Sequence, residues 1–127
     1  MKNLVAKMLL ALVVVSGLSA AGMAKTGKSA AAYESIVKYF TVQPYGETNR
    51  VLNLYAGETV YIKVTGDGHS DLDLYVSDDW EDLIVKDERT TTDGYVTFKV
   101  AETGEYYVDI ANNGSNYNTF RYEVTVY

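Results

Sequence analysis

Residues 71–77 (DLDLYVS) place an apolar side chain at every second position: Leu72, Leu74 and Val76 alternate with Asp71, Asp73 and Tyr75. A period of two is that of an extended strand with one face on a core and the other in water. The same period recurs on both sides of this stretch. Leu52 and Leu54, then Val60, Ile62 and Val64, precede it. Val96, Phe98 and Val100, then Tyr106, Val108 and Ile110, and last Tyr122, Val124 and Val126 follow it. Residues 82–87 (DLIVKD) supply one more short run. Turn-forming residues separate these runs: Ala56-Gly57, Gly66-Asp67-Gly68, Asp93-Gly94, Thr103-Gly104 and Asn112-Asn113-Gly114-Ser115. Seven or eight short strands, each with one apolar face, make an all-β domain. The expected architecture is an antiparallel β-sandwich of the jelly-roll or immunoglobulin-like kind.

The region before Asn49 breaks the pattern. Tyr33, Ile36, Val37 and Phe40 fall at helical spacing, which allows a short N-terminal helix at about 30–39. A strand through Ile36 to Val42 competes with that reading. Further upstream, residues 1–24 carry Lys2 and Lys7, an apolar run from Met8 to Val15, and small residues ending in Gly22 and Ala24. This is the form of a cleavable signal peptide, and its apolar stretch is too short for a stable membrane anchor. The expected organisation is a signal peptide at 1–24, a flexible mature N-terminus at 25–32 and one domain at 33–127. Export to the periplasm or the extracellular medium follows.

The chain has no Cys and a single His, so neither disulfides nor thiol chemistry enter. Without Lys2 and Lys7 it keeps nine basic residues against seventeen acidic ones, a net charge of −8. A surface this acidic repels DNA, RNA and anionic membranes, so nucleic-acid binding is excluded. Cations, neutral polymers and other proteins remain as partners.

The stretch GDGHSDLDLYVSD (66–78), with ETGEYYVDIANNG (102–114) and RYEVTVY (121–127), resembles the bacterial pre-peptidase C-terminal domain family. The likeness covers about Arg50 to Tyr127. It includes the Ala56-Gly57-Glu58-Thr59 turn, the strand entry at Gly104 and Tyr106, and the closing Tyr122, Val124 and Val126. Such domains are β-sandwiches appended to secreted peptidases, and related modules include calcium-dependent collagen-binding domains. The resemblance thus implies a β-sandwich with a non-catalytic role outside the cytoplasm.

Three sets of residues are candidates for function. Asp71 and Asp73 lie two apart on a strand and so share its solvent face, near Tyr75, and Asp67 in the preceding turn could bend toward them. Carboxylate oxygens suit Ca2+, which makes Asp67, Asp71 and Asp73 candidate metal ligands. The plainer reading makes Asp67 a turn residue and the other two solvated. Trp80, the only Trp, sits in the acidic run Asp78-Asp79-Trp80-Glu81-Asp82. It could anchor a partner or stack on a sugar, or fold back over the sandwich edge. Tyr61, Tyr75, Tyr95 and Tyr107 fall on the outward register of their strands and could line a binding face or serve cross-strand packing. His69 stands alone in a turn, with no second His or Cys for a transition metal and no evident nucleophile partner among Ser70 and Ser77. Asn113-Gly114-Ser115 reads as a hairpin turn.

The sequence therefore points to a non-catalytic binding module engaging a protein or an extracellular polymer, with no cofactor unless Ca2+. Two rivals stand beside it. One is an assembly subunit that uses the Pro-free terminal strand at 119–127 as an open edge. The other is a small hydrolase, which needs a pair of carboxylates across a cleft.

Overall fold

In a computed structural model the described residues are 34–127, and they form eight antiparallel strands in two four-stranded sheets. The expected signal peptide, the expected mature N-terminus and Tyr33 lie outside these residues. The strands are β1 (Glu34–Val42), β2 (Glu47–Leu54), β3 (Thr59–Thr65), β4 (Leu72–Ser77), β5 (Leu83–Asp87), β6 (Asp93–Lys99), β7 (Gly104–Asn112) and β8 (Asn118–Val126). One sheet, sheet A, runs β1-β8-β3-β6; the other, sheet B, runs β2-β7-β4-β5. Among the described residues no helix is long and apolar enough to cross a membrane.

The alternating residues of each strand meet between the sheets. Val60, Ile62 and Val64 of β3 and Phe120, Tyr122 and Val124 of β8 face Leu72, Leu74 and Val76 of β4 and Val108 and Ile110 of β7, all nearly inaccessible. Each such aliphatic side chain contributes about 1.5–3 kcal/mol of transfer free energy, enough to hold the strands without a cross-link. Only β4 and β5 are sequential neighbours in one sheet, and every other connection crosses from one sheet to the other.

Three expectations are corrected. Residues 34–42 are a strand, not part of a helix. Their helical spacing is outweighed by nine consecutive pairings with β8, Glu34 opposite Val126 through Val42 opposite Asn118. The terminal strand is not an open edge either: β8 lies inside sheet A, with β1 on one side and β3 on the other. Finally, residues 113–117 do not close a hairpin, because β7 and β8 belong to different sheets.

Candidate functional site

The three candidate metal ligands are placed in separate hydrogen-bond networks. Asp67 Oδ2 accepts the Thr119 amide at 2.7 Å, and Oδ1 accepts the His69 amide at 3.0 Å. The Thr119 bond is the main reason its carboxyl is held below the usual range. Asp71 Oδ1 accepts the Thr91 amide at 3.0 Å. Asp73, far from being solvated, is 7% exposed; its Oδ2 accepts the Asn113 side-chain amide at 2.6 Å, while Oδ1 has no partner. Burial pushes the Asp73 carboxyl up. Among the described residues no three His, Asp or Glu side chains come together as a group able to hold a metal ion. His69 is largely exposed, with Nδ1 3.3 Å from Asp67 Oδ1, and Ser70 Oγ is engaged by Asn118 Nδ2.

The four tyrosines do not share a face. Tyr75 and Tyr107 belong to sheet B, Tyr61 and Tyr95 to sheet A. Tyr75 donates to Glu88 Oε2 at 2.7 Å, and this bond raises its pKa. Tyr107 is buried and donates to Asp79 Oδ1 at 3.2 Å, so it braces the Trp80 loop instead of offering a binding surface. Tyr61 and Tyr95 stack with centroids 5.7 Å apart, and the Arg89 guanidinium lies 5.2 Å from the Tyr95 ring.

Trp80 is the most exposed large apolar side chain among the described residues, at 80%. It does not fold back over the sandwich edge. Its turn is organised by Asp78, whose Oδ1 accepts the amides of Trp80 and Asp82, both at 2.9 Å. The backbone closes the same turn: Asp78 N–H donates to the Asp82 carbonyl and Glu81 N–H to the Asp78 carbonyl. Glu81 completes it at φ 67°, a left-handed conformation that costs a non-glycine residue about 1–2 kcal/mol. The adjoining strand is irregular. Val76 pairs with Val85 but Ser77 with Leu83, so Ile84 is an extra residue in a β-bulge. A bulge re-aims side chains. Leu83 and Ile84, three and four residues after Trp80 and on the outer strand of sheet B, are both exposed.

The charge around this turn is one-sided. The outer face of sheet B carries Glu47, Asp73, Glu105 and Asp109, with Glu88 beside Tyr75, against Lys86 alone. Asp78, Asp79, Glu81 and Asp82 add to it around Trp80. The outer face of sheet A is close to balanced, with Lys63, Lys99 and Arg121 against Asp93 and Glu123.

Sequence reasoning missed the buried polar side chains that hold the loops. Asn112 donates to the carbonyls of Val42, Gln43 and Asn116. Asn118 Nδ2 reaches Ser70 O, Ser70 Oγ and Thr92 Oγ1, and its Oδ1 accepts the Asp67 amide. Asp87 accepts the Tyr95 amide across the sheets at 2.9 Å and takes Arg89 Nε at 2.8 Å. Asn and Asp at strand ends carry the same local signature whether they serve a turn or bridge two sheets, so no sequence signal separates the two.

No protein-family profile and no curated protein matches the chain. Solved structures do. The pre-peptidase C-terminal domain of a Bacillus anthracis collagenase aligns with TM-score 0.61 at 12% identity, over 71% of this chain and 88% of that one. The Yersinia pseudotuberculosis-derived mitogen aligns with TM-score 0.61 at 16% identity, over 72% and 85%. Salmonella Typhimurium PliG, a periplasmic inhibitor of g-type lysozyme, aligns with TM-score 0.55 at 11% identity, over 73% and 91%. The resemblance to pre-peptidase C-terminal domains is thus met in the fold.

Proposed function

We propose that this chain is an exported, non-catalytic binding module whose partner is a protein with a basic surface, docked through Trp80. The observation that carries the reading is an exposed Trp held on a hydrogen-bonded turn, followed by the exposed Leu83 and Ile84 and flanked in the chain by Asp78, Asp79, Glu81 and Asp82. An aromatic anchor inside a polar rim is the arrangement that concentrates binding energy in protein interfaces. The acidic face accelerates encounter with a basic partner and resists pairing with a second copy of itself. Export rests on the leader at 1–24 and on the likeness to a periplasmic protein. The likeness to PliG makes a lysozyme of the g type the first partner to try.

The sole Trp is its own reporter. Titrating the mature protein with g-type lysozyme, and with other basic secreted proteins, is expected to shift Trp80 emission to the blue, more weakly as salt rises. Trp80→Ala is expected to lose at least about tenfold in affinity, in the range of an interface anchor. A blue shift with neutral oligosaccharides and with none of the proteins would replace this reading with polymer binding.

A further inference from the structure

The chain holds one Asn-Gly pair, Asn113-Gly114, directly after β7. Such a pair is chemically labile, because a glycine nitrogen has no Cβ beside it and can reach the preceding side-chain carbonyl. The fold calls for both residues. A Cβ on Gly114 would stand 2.4 Å from Ser70 Cβ, so any larger residue forces Ser70 or the loop to move. Asn113 Nδ2 donates to Asp73 Oδ2 at 2.6 Å, and Asp73 is a buried carboxylate whose other oxygen has no partner. A carboxylate so placed is costly to the fold. The backbone around the pair is tied as well. The Asn113 amide donates to the Asp71 carbonyl at 2.9 Å and the Gly114 amide to Asn112 Oδ1 at 3.0 Å, while the Gly114 carbonyl accepts the Tyr45 amide at 3.1 Å. Asn112 is itself fixed by the carbonyls of Val42, Gln43 and Asn116. Asn113 is nevertheless exposed, so water reaches it.

We propose that Asn113 is a deamidation site, which Asp73 keeps closed while the protein is folded. In the reaction the Gly114 nitrogen attacks Asn113 Cγ and gives up its proton to water. The bond from Cγ to Nδ2 breaks, and the nitrogen leaves with the electron pair and a proton from water as ammonia. A further water opens the cyclic imide to Asp or isoAsp at 113. In the folded protein neither group is free: the Gly114 N–H is held by Asn112 Oδ1 and the leaving amide by Asp73. Conversion therefore waits for the loop after β7 to open, and it runs one way. An Asp at 113 puts a second carboxylate at hydrogen-bond distance from Asp73, where like charges repel until one takes up a proton. The surroundings of Asp73 do not offset that charge. Asp71 and Glu88 are negative, Tyr75 donates to Asp73, Asp109 lies opposite Tyr75 on β7, and Lys86 on β5 is paired with Glu88. The site and the Trp80 turn lie at opposite ends of β4, since Leu72 pairs with Asn112 and Ser77 leads into that turn. Deamidation thus limits the life of the fold and leaves the docking side chain in place.

Mass spectrometry of the mature protein, incubated near neutral pH, reads the conversion at Asn113. Deamidation is expected to run at least about tenfold slower in the folded wild type than in urea. Asp73→Ala removes the acceptor and is expected to speed conversion of the folded protein about tenfold, the weight of one hydrogen bond to a charged group. Asp73→Asn keeps an acceptor oxygen and is expected to convert more slowly than Asp73→Ala. Val96→Ala, in the core on the other sheet, controls for general loosening and is also expected to convert more slowly than Asp73→Ala. Asn113→Asp imitates the product. It is expected to melt at least about 4 °C below the wild type at pH 7, with the gap closing toward about pH 4. Asn113→Ser brings no charge, and its gap to the wild type is expected not to close in that way. If Asp73→Ala does not fold, the melting of Asn113→Asp carries the test. Equal rates in folded and unfolded wild type would overturn the proposal. So would an Asp73→Ala no faster than Asp73→Asn or Val96→Ala, or an Asn113→Asp that melts like the wild type at pH 7.

Discussion

Single polar residues decide how this sandwich closes. Asn118 is fully buried and satisfies the Asp67 amide and two oxygens of Ser70, with Thr92 as a further partner. Asn118→Ala leaves those groups buried without partners, each costing about 1–3 kcal/mol, and a loss of at least about 2 kcal/mol in denaturant unfolding is expected. The exposed Asn116→Ala is expected to stay within about 0.5 kcal/mol. The carboxylates act with opposite signs. Asp87 is held well below the usual range, chiefly by its bond to Arg89, so it stabilises the fold above about pH 4. That contribution is lost as pH falls through its depressed folded value. Asp73 is raised by burial, so it weakens the fold at neutral pH and the penalty is relieved on acidification. Asp87→Asn is therefore expected to lower the melting midpoint at pH 7 and to flatten the fall below pH 4. Asp73→Asn is expected to raise the midpoint at pH 7, with the difference vanishing toward pH 4. Because Asp67, Asp71 and Asp73 form no common group, millimolar calcium is expected to leave the wild-type midpoint unmoved; a rise that Asp71→Asn and Asp73→Asn remove would restore the metal reading.

At the scale of elements, the strand edges explain why side chains are the natural means of contact here. Each of the four outer strands is interrupted as a template for pairing. β5 carries the Ile84 bulge, and the Tyr95 amide of β6 is taken by Asp87. β1 and β2 bring Lys38 and Arg50 into the inward register, a device that keeps edges from joining. The assembly reading also loses its strand, since β8 is interior. The Trp80 turn instead displays side chains on a fixed backbone, with Glu81 strained at positive φ. Glu81→Gly relieves that strain and is expected to raise stability by about 1 kcal/mol, while the loss of one rim charge slows encounter with a basic partner. Trp80→Ala, by contrast, is expected to leave stability within about 0.5 kcal/mol, because the indole is exposed and the turn is held by Asp78. A large loss of stability in urea unfolding would show that Trp80 packs on the sandwich after all.

At the scale of the whole molecule, the topology sets the folding problem. The first and last strands of the described region are neighbours, Glu34 opposite Val126, and six strands lie between these two in the chain. Loop closure of this length precedes most of the stabilising contacts. Refolding by denaturant dilution is expected to take milliseconds to seconds, as in other sandwiches dominated by non-local pairing. Microsecond refolding would contradict that. Without Cys, the midpoint is expected to be insensitive to reductant.

The strands and their inward faces were legible in the sequence, because a period of two needs only neighbouring residues. Leu72, Leu74 and Val76 face the core as their spacing says, and Trp80 was legible as a candidate by being the only Trp in an acidic loop. The composition alone also set the absence of disulfides and the acidic net charge. Partnership across the chain was not legible. That residues 34–42 form a strand depends on β8, whose paired positions lie 76 to 92 residues away, and helical spacing over four side chains cannot oppose nine paired positions. The outward tyrosines divide between two sheets, and Asp73 is buried, because strand order decides which neighbours cover a residue. Periodicity records which way a side chain points; only the tertiary structure, where long-range pairing wins over local preference, decides what it meets there.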